Sequence, residues 1–117
     1  MTSLNTALRD PPYGTERCYN ALRLARTLLD QKAGEVKVFL LGDAAAAAHA
    51  GQKVAQGYYN LADMLGSVVR RGGEVAVCGT CMDARGLRED ALIAGARRST
   101  MDELGRMTAA ADKVLTF

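Results

Sequence analysis

Asn60-Leu61-Ala62-Asp63-Met64-Leu65-Gly66-Ser67-Val68-Val69-Arg70-Arg71-Gly72-Gly73-Glu74-Val75-Ala76-Val77-Cys78 reads as a helix, a stop and a strand in succession. Asn60 can cap the helix and Asp63 sits in its first turn, while Leu61, Met64, Leu65, Val68 and Val69 recur at i, i+3, i+4, i+7 and i+8. Gly72-Gly73 ends it. Glu74 to Val77 then forms a strand that delivers Cys78 at its carboxyl end. Upstream, Val36-Lys37-Val38-Phe39-Leu40-Leu41 is the near-continuous apolar run of a strand covered on both faces. Strand, helix and strand in this order predict a parallel sheet with right-handed crossovers and helices on both sides.

Working towards the amino terminus, Asp10-Pro11-Pro12-Tyr13-Gly14 forces the chain to stop and turn, because each proline lacks a donor and biases its predecessor away from the helix. Before it, Leu4 to Leu8 is a strand candidate low in β-branched and aromatic residues. After it, Thr15 can cap a helix reaching about Gln31 and ending near Gly34. Cys18, Leu22, Ala25 and Leu29 fall on its inner face, widened by Leu24 and Leu28. Cys18 belongs to that stripe and reads as packing. Gly42-Asp43 closes the second strand, with Asp43 as cap of a helix over the alanine-rich run Ala44 to Ala50. Gly51 to Tyr59 is a loop whose Tyr58 and Tyr59 suit an interface or a ligand.

Towards the carboxyl terminus, Leu87 to Leu92 reads as a short helix and Ile93 to Ala96 as a short extended piece. Ser99 caps a last helix, with Asp102 three residues on and Met101, Leu104, Thr108 and Ala111 on one face. Val114 to Phe117 is the final strand.

A chain of 117 residues supports one domain, 1–117, and its 49% hydrophobic and 24% charged residues are globular values. A net charge of +2, with Arg70-Arg71 and Arg97-Arg98 present only as pairs that read as solvated, argues against a nucleic-acid partner. No basic-then-apolar leader and no apolar run near the roughly 18 residues of a membrane span are visible, so a cytoplasmic protein without a membrane partner is expected. Three cysteines in such a chain read as reduced thiols rather than a disulfide framework.

Chemistry-bearing side chains converge in Cys78-Gly79-Thr80-Cys81-Met82-Asp83-Ala84-Arg85-Gly86. CxxC spacing alone leaves redox, zinc and structural readings open. A zinc site would lack its other half, and the single histidine, His49, has no companion ligand at helical spacing, so neither metal nor cofactor is expected. In a parallel α/β sheet, ligands gather outside the carboxyl ends of the strands. The Pro12–Tyr13 turn, the Gly42-Asp43 turn and the Cys78 loop therefore share an edge, which puts the thiols in a crevice. Gly79 and Thr80 can supply donors to a Cys78 thiolate and Arg85 a charge, while Cys81 can attack a mixed disulfide or persulfide formed on Cys78. Asp83 and Arg85 also suit a loop-shaping pair.

Beyond these local readings, Asp10 to Arg17, Ala21 to Ala25, Val38 to Asp43, Gly51-Gln52-Lys53, Gly57 to Asn60, Cys78 to Gly86, Ser99 to Leu104 and Ala111 to Val114 together resemble the DsrE/DsrF-like family over nearly the whole chain. The resemblance implies a three-layer α/β/α sandwich with a five-stranded parallel sheet, assembled as a homotrimer or homohexamer. It also implies sulfur relay, with Cys78 accepting sulfane sulfur as a persulfide from a donor protein and passing it to an acceptor. A second reading is a non-enzymatic oligomeric binding or redox-sensing module. In it Pro12, Tyr13, Asp43 and Tyr58 form a pocket for a small anion or nucleotide-like ligand.

Overall fold

The computed structural model describes residues 2–117. Five strands, β1 (Thr2–Leu8), β2 (Gly34–Leu40), β3 (Glu74–Cys78), β4 (Ala96–Ser99) and β5 (Lys113–Thr116), form one sheet in the order β4-β3-β2-β1-β5. Every pairing is parallel. Helices α1 (Arg17–Asp30), α2 (Leu61–Arg70), α3 (Gly79–Ala84) and α4 (Met101–Ala110) complete the α/β domain, with short 3₁₀ segments at Gly42–Ala48 and Glu89–Ala91.

Alternation along the strands sorts side chains into two layers. Leu8, Val36, Val38, Leu40, Val75 and Val77 face α1 and α2, where Leu22, Leu61, Leu65 and Val68 are fully buried. Each such side chain contributes about 1.5–3 kcal/mol on leaving water. Phe39, Ala76 and Cys78 face the other way, towards Met107 and Leu104 of α4. β1 pairs on both sides despite its modest sequence, and its polar Asn5 lies under α4, where Nδ2 donates to Thr108 Oγ1 at 3.4 Å.

The cap expected at Asn60 forms, its side chain accepting the Asp63 N–H at 3.1 Å. Several boundaries differ from the sequence expectation. The first helix starts one residue later, after Glu16, with the Arg17 N–H 3.4 Å from Thr15 Oγ1. The alanine run is a 3₁₀ helix that Asp43 does not cap. Ala44, Ala45, Ala47 and Ala48 are all fully buried, so the backbone lies close to its neighbours and tertiary packing overrides propensity. β4 runs Ala96–Ser99 and shares only Ala96 with the extended piece expected at Ile93 to Ala96, because the chain turns at Gly95 (φ +90°), where a Cβ would meet Val69 Cγ1 at 2.5 Å. Leu87 to Leu92 contains only the 3₁₀ turn. Thr100, not Ser99, caps α4 by accepting the Glu103 N–H at 3.2 Å; Ser99 ends β4 and its hydroxyl donates to Glu103 Oε1 at 2.9 Å. Met101, placed on the packed face from sequence, is 61% exposed, and Met107 is the buried residue of α4. Among the described residues no helix is long and apolar enough to cross a membrane.

Candidate functional site: two thiols at the end of the third strand

Cys78 is the last residue of β3 and α3 begins at Gly79, so the CxxC segment is a strand end joined directly to a first helical turn rather than an open loop. Cys81 therefore lies about one turn beyond Cys78. The expectation that both thiols stand in a crevice rather than in the core does not hold for Cys78. Cys81 is half-buried, whereas Cys78 is only 4% exposed and packs with Phe39, Ala76 and Met107.

Polar groups from α3 and from the turn after β2 meet the two sulfurs. The Thr80 hydroxyl is 3.4 Å from Cys78 Sγ, and the Gly42 N–H, delivered by the end of β2, donates to Cys81 Sγ at 3.1 Å. Arg85 donates through Nε and Nη2 to Asp43 Oδ1, at 3.0 and 2.7 Å, and through Nη1 to the Cys81 carbonyl at 3.1 Å. It thus ties α3 to the turn after β2. Asp83 does not pair with Arg85; it accepts a two-pronged bond from Arg98 of β4, at 2.8 and 2.9 Å.

These contacts separate the thiols. Burial pushes the Cys78 thiol up, but hydrogen bonds from the Cys81 thiol, the Thr80 hydroxyl and the Cys81 and Thr80 amides outweigh it and hold Cys78 below the ordinary thiol value. Cys81 moves the opposite way. Burial and its bond to Cys78 raise it, against the Gly42 amide and the Arg85 charge. The pair is therefore set to carry its first negative charge on Cys78, with Cys81 as proton donor. Cys18 stands apart: it is fully buried in α1, donates to the Asp10 carbonyl at 3.3 Å, and is pushed up to about 11 by burial and the Asp10 charge.

The structure divides the ligand-binding residues expected from sequence into two groups. Gly79, Thr80 and Asp43 stand with Cys78, Cys81 and Arg85. Tyr13 and Tyr58 line a cleft of their own in which Asp43 takes no part. Tyr13 stacks on Tyr59 with centroids 6.1 Å apart, and Tyr59 on Tyr19 at 4.2 Å. The Tyr13 hydroxyl accepts the Leu61 N–H at 3.1 Å and donates to Gln52 Oε1. Tyr13, Lys53, Val54 and the 73% exposed Tyr58 line an open cleft of about 490 Å³. No hydrogen bond among the described residues joins that cleft to the thiols. Sequence reasoning missed the Gly42 amide as a sulfur ligand and Arg98 as a neighbour of the site. The first was signalled by the glycine closing β2; the second had no local signal, because its partner lies fifteen residues away.

Fold and site describe a small parallel α/β protein with two free thiols at the end of its third strand. Residues 6–117 match the DsrE/DsrF-like family, and the chain belongs to it. It is 42% identical to protein YchN of Escherichia coli over 107 residues, 91% of each chain, and 39% identical to protein MJ0989 of Methanocaldococcus jannaschii over 94% of this chain and 95% of that one. The crystal structure of the E. coli YchN protein superposes with a TM-score of 0.94 over the full length of both chains, at 39% identity. Protein MTH1491 of Methanobacterium thermoautotrophicum, at 12% identity and a TM-score of 0.77, shares the fold. The family is associated with sulfur relay.

Proposed function

We propose that the protein is a sulfur-relay carrier that holds sulfane sulfur as a persulfide on Cys78. The Cys78 thiolate attacks the outer sulfur of a donor persulfide, R–S–SH. A new bond joins Cys78 Sγ to that sulfur, the donor's S–S bond breaks, and the donor leaves as a thiolate that takes a proton from water. Attack by an acceptor thiolate on the outer sulfur reverses these steps and restores Cys78. Alternatively, Cys81 attacks Cys78 Sγ, forming the Cys78–Cys81 disulfide and expelling hydrosulfide; a thiol reductant then regenerates both thiols. The observation that carries this reading is the donor set around Cys78 Sγ, which favours a thiolate on that sulfur over Cys81. Arg85 contributes charge at Cys81, and Gly79 and Thr80 open the helical turn that follows Cys78, with the Thr80 hydroxyl beside its sulfur.

The carrier works in a compartment that keeps thiols reduced, such as the cytoplasm, as a homotrimer or homohexamer meeting donor and acceptor proteins. Incubation with a persulfide donor, followed by intact-protein mass spectrometry, should show a gain of one sulfur that disappears in Cys78→Ser and is released as sulfide by a mild reductant. Absence of that gain in the unsubstituted protein sinks the proposal.

The aromatic cleft favours a second reading, a binding module in which Tyr13, Lys53 and Tyr58 hold a small aromatic or anionic ligand and the thiols are bystanders. Under it, ligand-induced thermal stabilisation survives Cys78→Ser and is lost in Tyr58→Ala; loss in the cysteine variant instead excludes it.

A further inference from the structure

Arg98 occupies a place that its sequence context, one of two adjacent arginines on an edge strand, does not suggest. It directly precedes Ser99, the residue of β4 paired with Cys78 of β3. Its side chain leaves the strand and lies along α3. At one end the guanidinium covers Gly79, the residue after Cys78: a Cβ built on Gly79 would stand 2.8 Å from Arg98 Cζ and Nε and 2.9 Å from Nη2. At the other end it forks onto Asp83, one helical turn further on the same face. Gly79 has no left-handed backbone requirement, so the room its missing side chain leaves for the guanidinium is the constraint at this position.

The consequences for the sulfur are geometric and electrostatic. Gly79 and Thr80 open the turn that follows Cys78, and the Thr80 hydroxyl stands 3.4 Å from Cys78 Sγ. Clamping Gly79 from outside, with Asp83 as the second anchor, holds that turn against the end of β4. The guanidinium also brings a positive charge onto Gly79, the residue bonded directly to Cys78. Arg97 provides the internal contrast: its side chain pairs with Glu103 of α4.

We propose that Arg98 is the positioning residue of the thiol site, its guanidinium seated on Gly79 and braced by Asp83 so that the first α3 turn, with its Thr80 hydroxyl, stays fixed at Cys78 and a permanent cation covers the residue next to it. The proposal rests on the sulfur-carrier reading for its role in transfer, but its effect on the Cys78 thiol is measurable without any transfer. The titratable and charged groups in play are Cys81 and Asp83 on α3 and Arg98 on β4. Arg85, held by Asp43, acts on Cys81, and Glu89 acts on Arg98. On the α4 side, Cys78 packs against Met107 with Leu104 beside it.

The test is the pH profile of Cys78 alkylation by iodoacetamide, followed by peptide mass spectrometry on the full chain. Arg98→Met should displace the profile to higher pH and slow alkylation at pH ~7 by roughly three- to ten-fold. Arg98→Lys, which keeps the charge and loses the fork, should recover part of the rate, and Arg97→Met should match the unsubstituted protein. Gly79→Ala, which leaves every charge in place and drives the guanidinium off its seat, should move the profile in the same direction as Arg98→Met. An unchanged profile in Arg98→Met overturns the proposal; if that variant does not fold, an unchanged profile in Gly79→Ala does so. Persulfide loading of the unsubstituted protein, read in parallel, fails only if the carrier reading is wrong, so the two outcomes separate.

Discussion

Cys78 and Cys81 are the same residue type one turn apart, and what distinguishes them is which donors each sulfur meets. Cys78 has the Thr80 hydroxyl at 3.4 Å and is drawn down by hydrogen bonding with Cys81 and Thr80 against its burial; Cys81 accepts the Gly42 N–H and is raised by burial and by Cys78. Removing the Cys81 thiol therefore deletes a donor to Cys78 as well as a second nucleophile. Cys81→Ala should shift Cys78 alkylation to higher pH and slow it several-fold at neutral pH, while the persulfide, once formed, persists because its intramolecular exit is gone. If Cys78 alkylates at the same rate in Cys81→Ala, the thiol–thiol bond is not what holds it low.

The buried Cys18 makes a separate, signed prediction for stability. Its folded value of about 11 stands above the ordinary 9.0, so the fold retains a proton that the unfolded chain releases. The stabilisation linked to this retention is complete below pH 9, and it is lost as pH rises towards 11. Thermal melts should therefore fall more steeply over that window in the native sequence than in Cys18→Ala, whose absolute stability is lower because the cavity left by the thiol is unfilled. Parallel slopes for the two proteins would exclude Cys18 as the source.

At the scale of elements, the edge where β1 and β2 begin is fixed by backbone rather than side-chain contact. Gly34 pairs with Thr2 and has φ +150°; a Cβ there would stand 2.0 Å from the Thr2 carbonyl oxygen. Gly34→Ala has to push the two central strands apart, and chemical denaturation should register a loss of at least about 2 kcal/mol. A loss of only a few tenths would show that this edge relaxes freely. The comparison with sequence follows the same logic. α2 and β3 were legible because their apolar period and the Asn60 and Gly72-Gly73 punctuation are local. β4 was not, because an edge strand need bury little; its Arg97 and Arg98 take partners on α4 and α3 that no local window contains. The alanine run was misread for the opposite reason. Alanine's helix propensity is intrinsic, whereas burial of four of these side chains selects the tighter turn. At the site, the spacing of Cys78, Cys81 and Arg85 marks the segment, but that Asp43 takes Arg85 as partner and leaves the Tyr13–Tyr58 cleft to other residues depends on contacts no local window contains.

For the whole molecule, the two faces of the sheet are covered unequally. α1 and α2 bury one face under a continuous apolar layer, while the other carries the ten-residue α4 over Phe39, Ala76 and Asn5, with Cys81 of α3 at its edge. Around α4, Met101 at its amino end is 61% exposed and Val114 of β5 is 41% exposed. A homotrimer or homohexamer that uses this thinner face would cover both and would also restrict access to Cys78, whose packed neighbours Phe39 and Met107 belong to the same layer. Light scattering should then give a mass three or six times that of the 12.5 kDa chain. The double variant Met101→Glu, Val114→Glu should lower that mass by placing carboxylates in the contact, and should speed alkylation of Cys78 by uncovering its layer. A native protein that scatters as a 12.5 kDa monomer would remove the assembly from the mechanism. An assembly that persists unchanged in the double variant would place its interface elsewhere, with the exposed Tyr58 as the next surface to alter.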